Sequence, residues 1–366
     1  MLDELRKPSK TLANYFEKED KADGETHCPE GVTPLATWWQ QKTSGTSYIR
    51  CSVPARYLPG QALALRYSDV KLGSDGEVIV PRHQGVGIFQ FVGNATRALI
   101  MAHLQEQGIK ALMEVDDNYL TPSPDPTRTE WQTKIDRSEN DRYSFQAHRK
   151  IIRWVDGVIC STDELAERYE KKTSAPIYVC PNSADPEDWP VLGEDAGRPG
   201  TIRNIGFAGS ASHIYDTVLV ERALDWAARN GASVHRFGGT GSSWRFEHVA
   251  TPWNNDLAEY RESLQVLDVG VCPLKPGDWQ DCKSDLKAIE YTLSGAIPIV
   301  SKVPPYKDWL DVVPSCASEK DWLKAIKWAV RAPADELQEV WKQAYELVTT
   351  SKLISQNIDR WREAIK

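Results

Sequence analysis

The 366-residue sequence contains no C-x-x-C pair. Its seven cysteines, Cys28, Cys51, Cys160, Cys180, Cys272, Cys282 and Cys316, are odd in number and scattered, so neither a disulfide framework nor a zinc site is expected, and a reducing cytoplasm fits best. No stretch approaches the roughly 18 apolar residues of a membrane span, and the N-terminal MLDELRKPSK lacks the apolar centre of a signal peptide. Neither a transmembrane segment nor secretion by that route is expected. Positive charge is not in excess: 44 Lys and Arg stand against 52 Asp and Glu, a net charge of −8, which argues against a general binder of nucleic-acid backbones. The G-x-x-x-x-G-K-[ST] loop is missing, and GVGIFQ (85–90) holds two of the three glycines of a dinucleotide fingerprint with no third opening a helix. G-x-S-x-G and H-E-x-x-H are absent too. No repeat of 20–50 residues occurs.

What the sequence does have is alternation. At this length one core is rarely enough, so two domains are expected. Residues 1–45 are polar and broken by Pro, Gly and Thr, and read as an extension with one short helix at Lys10–Glu19. From Ser47 the pattern predicts a strand then a helix in SYIRCSVPARYL, a strand in EVIV (77–80), an amphipathic helix in ATRALIMAHLQEQG and a strand in IKALMEV, with further helix and strand units as far as IYVCPN. This is an α/β domain with a mostly parallel sheet, spanning 46–190. A Pro-, Gly- and acid-rich stretch follows, with the linker placed at 191–201. A second alternating series occupies 202–334: NIGFAGS, TVLVERALDWAARNG, SVHRFGG, LAEYRESLQVLD, VGVCPL, a helix from Asp285, IPIV and EKDWLKAIKWAVRA. The tail, 335–366, has helical periodicity. The expected fold is α/β, with two tandem Rossmann-like doubly wound domains and a C-terminal helical tail set to pack back on the first domain.

In open parallel sheets ligands sit at the carboxyl ends of strands, where helix N-termini converge. After the first strand of the second domain, Gly209 and Ser210 allow close approach of an anion, with His213 and Asp216 beyond; the competing reading is a tight capped turn. FGGTGSS, with Gly239, is a phosphate-cradling loop or simply a flexible one. CKSDLKAIEYTLSGAIPIV (282–300) reads as a helix running into a buried strand, opened by Lys283, Ser284 and Asp285 and stopped at Gly295. Its N–H groups and macrodipole favour a diphosphate. Glu290 lies beside the apolar stripe of Leu286, Ile289 and Leu293, about 9 Å from Ser284 along the helix, a separation suited to a ligand with a phosphate end and a hydroxyl-rich end. The alternative for Glu290 is a structural ion pair. In the first domain Asp116 and Asp117 end a strand, as acid–base candidates or turn caps, and Glu114 shares a face with Asp116 in a weak D-x-D-like metal pair. Arg82 and His83, and more weakly Arg50, are candidates for the same edge. The fourteen Trp, including Trp38, Trp39, Trp244, Trp253 and Trp279, could stack on sugars, but most read more simply as core or interface.

DVGVCPL followed by DCKSDLKAIEYTLSGAIPIVSKVPPY resembles the donor-binding segment of GT-B glycosyltransferases, most closely the family 4-like enzymes of bacterial polysaccharide pathways and some phage genomes. IGFAGSASHIYD, DGVICSTDELAERY with IYVCPNSADPEDW, and YIRCSVPARYL with MEVDDNYL match in the family's order, so the resemblance covers about residues 47–330. It implies two domains facing a cleft, the second binding a nucleoside-diphosphate sugar and the first a protein, glycan or lipid-linked acceptor. It also implies no essential metal or other cofactor, and retention of anomeric configuration. Lys283, Ser284 and the following amides would hold the diphosphate, and Glu290 the ribose. The chain departs from the family at Cys282, where many members have a second Glu, and at Ser210, where many have Arg; Lys283 and His213 are the candidates to compensate. The expected function is transfer of a hexose-like sugar to an acceptor hydroxyl, with Asp116, Asp117 and His213 as catalytic candidates. The rivals are a metal-dependent GT-A-like transferase using Glu114 and Asp116, and a catalytically degenerate nucleotide-sugar-binding protein.

Overall fold

A computed structural model describes residues 36–40, 45–58, 62–66, 71–72, 78–79, 85–92, 95–121, 145–190, 192–193, 196–197, 203–210, 213–238 and 244–366. The chain divides into two compact units, one formed by the segment ending at Pro181 together with Ile358–Lys366, the other by Asn182–Asn357. The division thus falls ahead of the 191–201 stretch.

The first unit carries β1 (Ala36–Gln40), β2 (Ala62–Arg66), the two-residue strands β3 (Lys71–Leu72) and β4 (Val78–Ile79), β5 (Val86–Gln90), helix α1 (Ala95–Glu106), β6 (Lys110–Val115), α2 (Phe145–Ile151), β7 (Gly157–Cys160), α3 (Asp163–Glu170) and β8 (Ile177–Val179). Six strands form a parallel sheet in the order β2-β1-β5-β6-β7-β8. Two expectations fail here. β1 lies inside the stretch read as a polar extension: ATWWQ is buried on both faces, with Trp38 and Trp39 fully enclosed. Such a strand shows no alternation, and five residues in polar surroundings carry too little signal. Conversely, Tyr48–Ser52 is not a strand but a helical turn continuing into Val53–Arg56. EVIV contributes only β4, which pairs antiparallel with β3 outside the main sheet.

The second unit runs through β9 (Asn204–Gly209), α4 (Ile214–Arg229), β10 (Ser233–Gly238), β11 (Val249–Thr251), α5 (Leu257–Leu264), β12 (Val269–Cys272), α6 (Leu286–Leu293), β13 (Ile297–Ser301), β14 (Ser315–Cys316), α7 (Glu319–Arg331) and α8 (Ala334–Ser351); α9 (Ile354–Ala364) leads back into the first unit. Its sheet is wholly parallel, ordered β11-β10-β9-β12-β13-β14. Chain progression therefore reverses between β9 and β12, the switch point at which doubly wound sheets open a crevice. One apolar layer packs Val220, Leu224 and Ala227 of α4 with Trp322 and Ile326 of α7. The opposite layer packs Ile289, Tyr291 and Leu293 of α6 with Ala344 and Val348 of α8. No described helix is long and apolar enough to cross a membrane.

Candidate functional site

At the switch point β9 and β12 pair only through Val269 with Ile205 and Gly270 with Gly206, and then part. Tyr291 of α6 fills the opening, its phenol oxygen accepting the Ala208 N–H at 2.8 Å. Gly270 is required for this, since a Cβ there would lie 2.2 Å from the Tyr291 ring. Gly209 ends β9 where a Cβ would meet Phe207 at 2.7 Å, and Ser210 after it is exposed. His213 precedes α4, packs its ring edge-on against Phe207 and holds Nδ1 3.0 Å from Oδ2 of Asp216. The other Asp216 oxygen accepts the Lys275 N–H at 2.9 Å. One carboxylate thereby fixes the turn after β9 and the loop after β12.

The α6 entry is similarly braced. Lys283 closes the short turn Gln280–Cys282, with its ammonium 5.9 Å from the Trp279 ring centre. Ser284 Oγ accepts from Asn182 Nδ2 at 2.7 Å. Asp285 accepts the Trp309 indole N–H at 2.8 Å and pairs with Lys352 at 3.0 Å, so its side chain anchors the helix entry rather than offering itself to a ligand. Cys282 is fully buried and its thiol donates to the Asp278 carbonyl. Glu290 Oε2 accepts from the Tyr260 hydroxyl at 3.0 Å. Burial raises the Glu290 carboxyl above the usual range, with Lys287 opposing. Lys287 lies one turn before Glu290, on the same face. Its ammonium sits 5.8 Å from the Phe207 ring centre and has no hydrogen-bond acceptor among the described residues. Burial pushes it below the ordinary lysine range and Glu290 opposes that shift.

In the first unit the sheet reverses between β1 and β5. Phe91, just past β5, has φ 41°, an unfavourable backbone region for a bulky side chain. Its N–H bonds to the Glu114 carbonyl at 2.9 Å and its carbonyl accepts from buried Arg97 at 2.8 Å. Its ring packs on Tyr119 with centres 4.0 Å apart, and the Tyr119 hydroxyl donates to Asp116 Oδ1 at 3.1 Å. Asp116 is partly exposed and Asp117 buried.

No protein-family model and no curated protein matches the sequence. Solved structures do. The Anabaena protein HepE, in a structure with UDP-glucose, aligns with a TM-score of 0.61 at 9% identity, covering 90% of this chain and 98% of that one. TarM aligns with a TM-score of 0.56 at 11% identity over 77% of this chain and 54% of its own. The UDP-forming α,α-trehalose-phosphate synthase of Burkholderia vietnamiensis aligns with a TM-score of 0.52 at 12% identity, over 76% and 72%. The fold is GT-B.

Within this GT-B chain the second unit gathers Gly209, Ser210, His213, Lys283, Ser284 and Glu290 around β9, β12 and α6. Lys287 joins them although sequence reasoning passed over it; its spacing of three from Glu290 in K-S-x-L-K-x-x-E-Y was the available signal. Gly239, Arg82 and His83 lie outside the described residues. Arg50 does not serve the acceptor edge. It is fully buried, with Nε 2.6 Å from Glu114 Oε1, Nη1 donating to the Cys180 carbonyl and the guanidinium 4.9 Å over the Trp361 ring. That pairing also removes Glu114 from the rival metal pair with Asp116. Burial lifts the Glu114 carboxyl to about 7 against the pull of Arg50.

Beside Asp116 and Asp117, His148 is fully buried between the Val92 carbonyl, 3.1 Å from Nδ1, and the Tyr169 hydroxyl, 2.8 Å from Nε2. Burial lowers it to about 4. A folded value below the unfolded one of about 6.5 means that His148 contributes stability above pH 6.5, lost as pH falls through 4. The expected loss is about 3 kcal/mol by pH 4. Urea titrations from pH 7 to 4.5 should show a flatter acid limb in His148→Gln than in the parent; parallel limbs would mean the imidazole is charged in the fold.

Proposed function

We propose that the chain is a glycosyltransferase that takes a hexose-like sugar from a nucleoside-diphosphate sugar bound by the second unit and passes it to an acceptor hydroxyl. The carrying observation is the Lys287–Glu290 pair: a partly buried lysine whose ammonium has no acceptor among the described residues, one helical turn from a carboxylate, on a helix whose N-terminus meets the switch point. An ammonium drawn partly out of water without an acceptor is disfavoured, and an anionic ligand supplies what it lacks. The opening amides of α6 add their dipole. Glu290, ionised, accepts hydroxyl protons and suits a ribose diol. During transfer Lys287 and these amides would offset charge building on the leaving diphosphate, with His213 held by Asp216 at the same crevice. Asp116 and Asp117 would orient the acceptor. The UDP-glucose of the HepE structure and the UDP-forming name of the trehalose-phosphate synthase make UDP the first nucleotide to try. The family 4 resemblance carries the proposal of retention, checked by the anomeric configuration of the product, and the scattered cysteines carry that of a cytoplasmic site of action.

A binding protein without turnover is the second reading. It is favoured by the buried Cys282, which leaves the donor's sugar without the carboxylate that many family members place there. Single-turnover release of UDP from UDP-sugar separates the two.

Calorimetry tests the donor site directly. Lys287→Met should weaken UDP and intact donor alike, by about 10- to 100-fold for loss of a charge-assisted contact. Glu290→Gln should weaken UDP more than its 2′,3′-dideoxy analogue. Unchanged UDP affinity in Lys287→Met removes this lysine from the site, and equal losses for both ligands make Glu290 structural.

A further inference from the structure

Trp253, just beyond β11, leaves 47% of its surface exposed. A lone exposed tryptophan is unremarkable by itself, and Trp154, 42% exposed, has neither a ring neighbour nor a bonded indole N–H among the described residues. Trp253 is held. Its Nε1–H donates to Asn255 Oδ1 at 3.0 Å, its ring centre lies 6.0 Å from that of Tyr260, and its six-membered edge rests on Gly238. Gly238 has φ 75°, and a Cβ there would lie 2.7 Å from Trp253 Cε3. The backbone at the end of β10 is therefore cut away to seat an indole that remains exposed. Tyr260 in turn bonds Glu290. From the start of α6 the succession is Lys287, Glu290, Tyr260, Trp253, and a nucleoside diphosphate has its parts in the matching order of phosphate, ribose and base.

We propose that Trp253 is the platform on which the donor's nucleobase stacks, an inference that rests on the donor site proposed above. A planar base offers its face to an indole whatever its ring substituents, so stacking supplies affinity with little discrimination. Nucleotides with different bases should then lose affinity together when the indole is removed.

The test measures UDP, UDP-glucose, ADP, GDP, dTDP and inorganic pyrophosphate against parent, Trp253→Leu, Trp253→Phe and Lys287→Met by calorimetry, with melting temperatures to establish that each variant is folded. Trp253→Leu should weaken every nucleotide that the parent binds by about ten-fold or more and leave pyrophosphate unchanged, while Trp253→Phe restores most of the loss. UDP should quench a component of the parent's tryptophan emission that Trp253→Leu lacks. If Trp253→Leu binds UDP as the parent does while Lys287→Met does not, the platform is refuted and the donor site stands. If UDP affinity is kept and only UDP-glucose weakens, the indole meets the sugar and the base assignment is overturned. If the parent binds no nucleoside diphosphate, the donor site falls and the platform falls with it.

Discussion

Arg50→Met should destabilise the protein by about 3–5 kcal/mol, because it leaves the Glu114 carboxylate buried with no opposing charge. The folded carboxyl already titrates at about 7 with Arg50 in place, and without the guanidinium it should titrate higher still. A raised folded pKa costs nothing below the unfolded value of about 4.3 and increasingly more as pH rises towards the folded one, above which the cost is constant. The loss should therefore be greater at pH 8 than at pH 5. Adding Glu114→Gln should recover part of it, since a neutral amide is cheaper to bury than a lone charge. Urea titrations of the parent and both variants at both pH values check this; an Arg50→Met protein as stable as its parent would show that water reaches Glu114.

Removal of the carboxylates at the end of β6 should affect turnover most. If Asp116 and Asp117 orient the acceptor or stabilise positive charge developing at the sugar, at least one of Asp116→Asn and Asp117→Asn should lower the single-turnover rate by about 100-fold or more, with donor affinity little changed. Stability should fall by no more than about 1–2 kcal/mol if neither is mainly a turn cap. The opposite pattern, a lower melting temperature with normal turnover per folded molecule, would make both structural. Near-parental turnover and stability in both would shift the chemistry to His213.

The second unit was the more legible in sequence, for a physical reason. Its helices are amphipathic and its strands short and β-branched, so period and punctuation agree, as in α6, where the apolar stripe ends at Gly295 with φ 89°. Glu290 stood out as a carboxylate beside that stripe, and the polar start of α6 marked a place for an anion. Lys287 did not stand out, because a lysine on a helix is ordinarily solvated and only the fold reveals its place beside the Phe207 ring. Asp285 shows the opposite: its position suits a ligand, but Trp309 and Lys352, distant in sequence, both hold its Oδ2. Arg50 is the sharpest case. Its partner lies 64 residues away, so nothing local distinguishes a cation buried in an ion pair from one waiting for a substrate. β1 escaped because a strand enclosed on both faces alternates nothing, and β11, three residues long and mostly exposed, offers no period at all.

The return of Ile358–Lys366 to the first unit has a consequence for how the chain is made. Trp361 lies beneath the Arg50 guanidinium and 5.9 Å from Trp38, so the hydrophobic floor of the N-terminal unit is supplied by residues translated after the whole of Asn182–Asn357. Domains ordinarily fold in the order they leave the ribosome. Here the first unit to emerge cannot be the first to finish: the second can consolidate as soon as it is out, while the first must hold an incomplete core, with Trp38 and the Arg50 guanidinium uncovered on the side that Trp361 will close, until its last helix arrives.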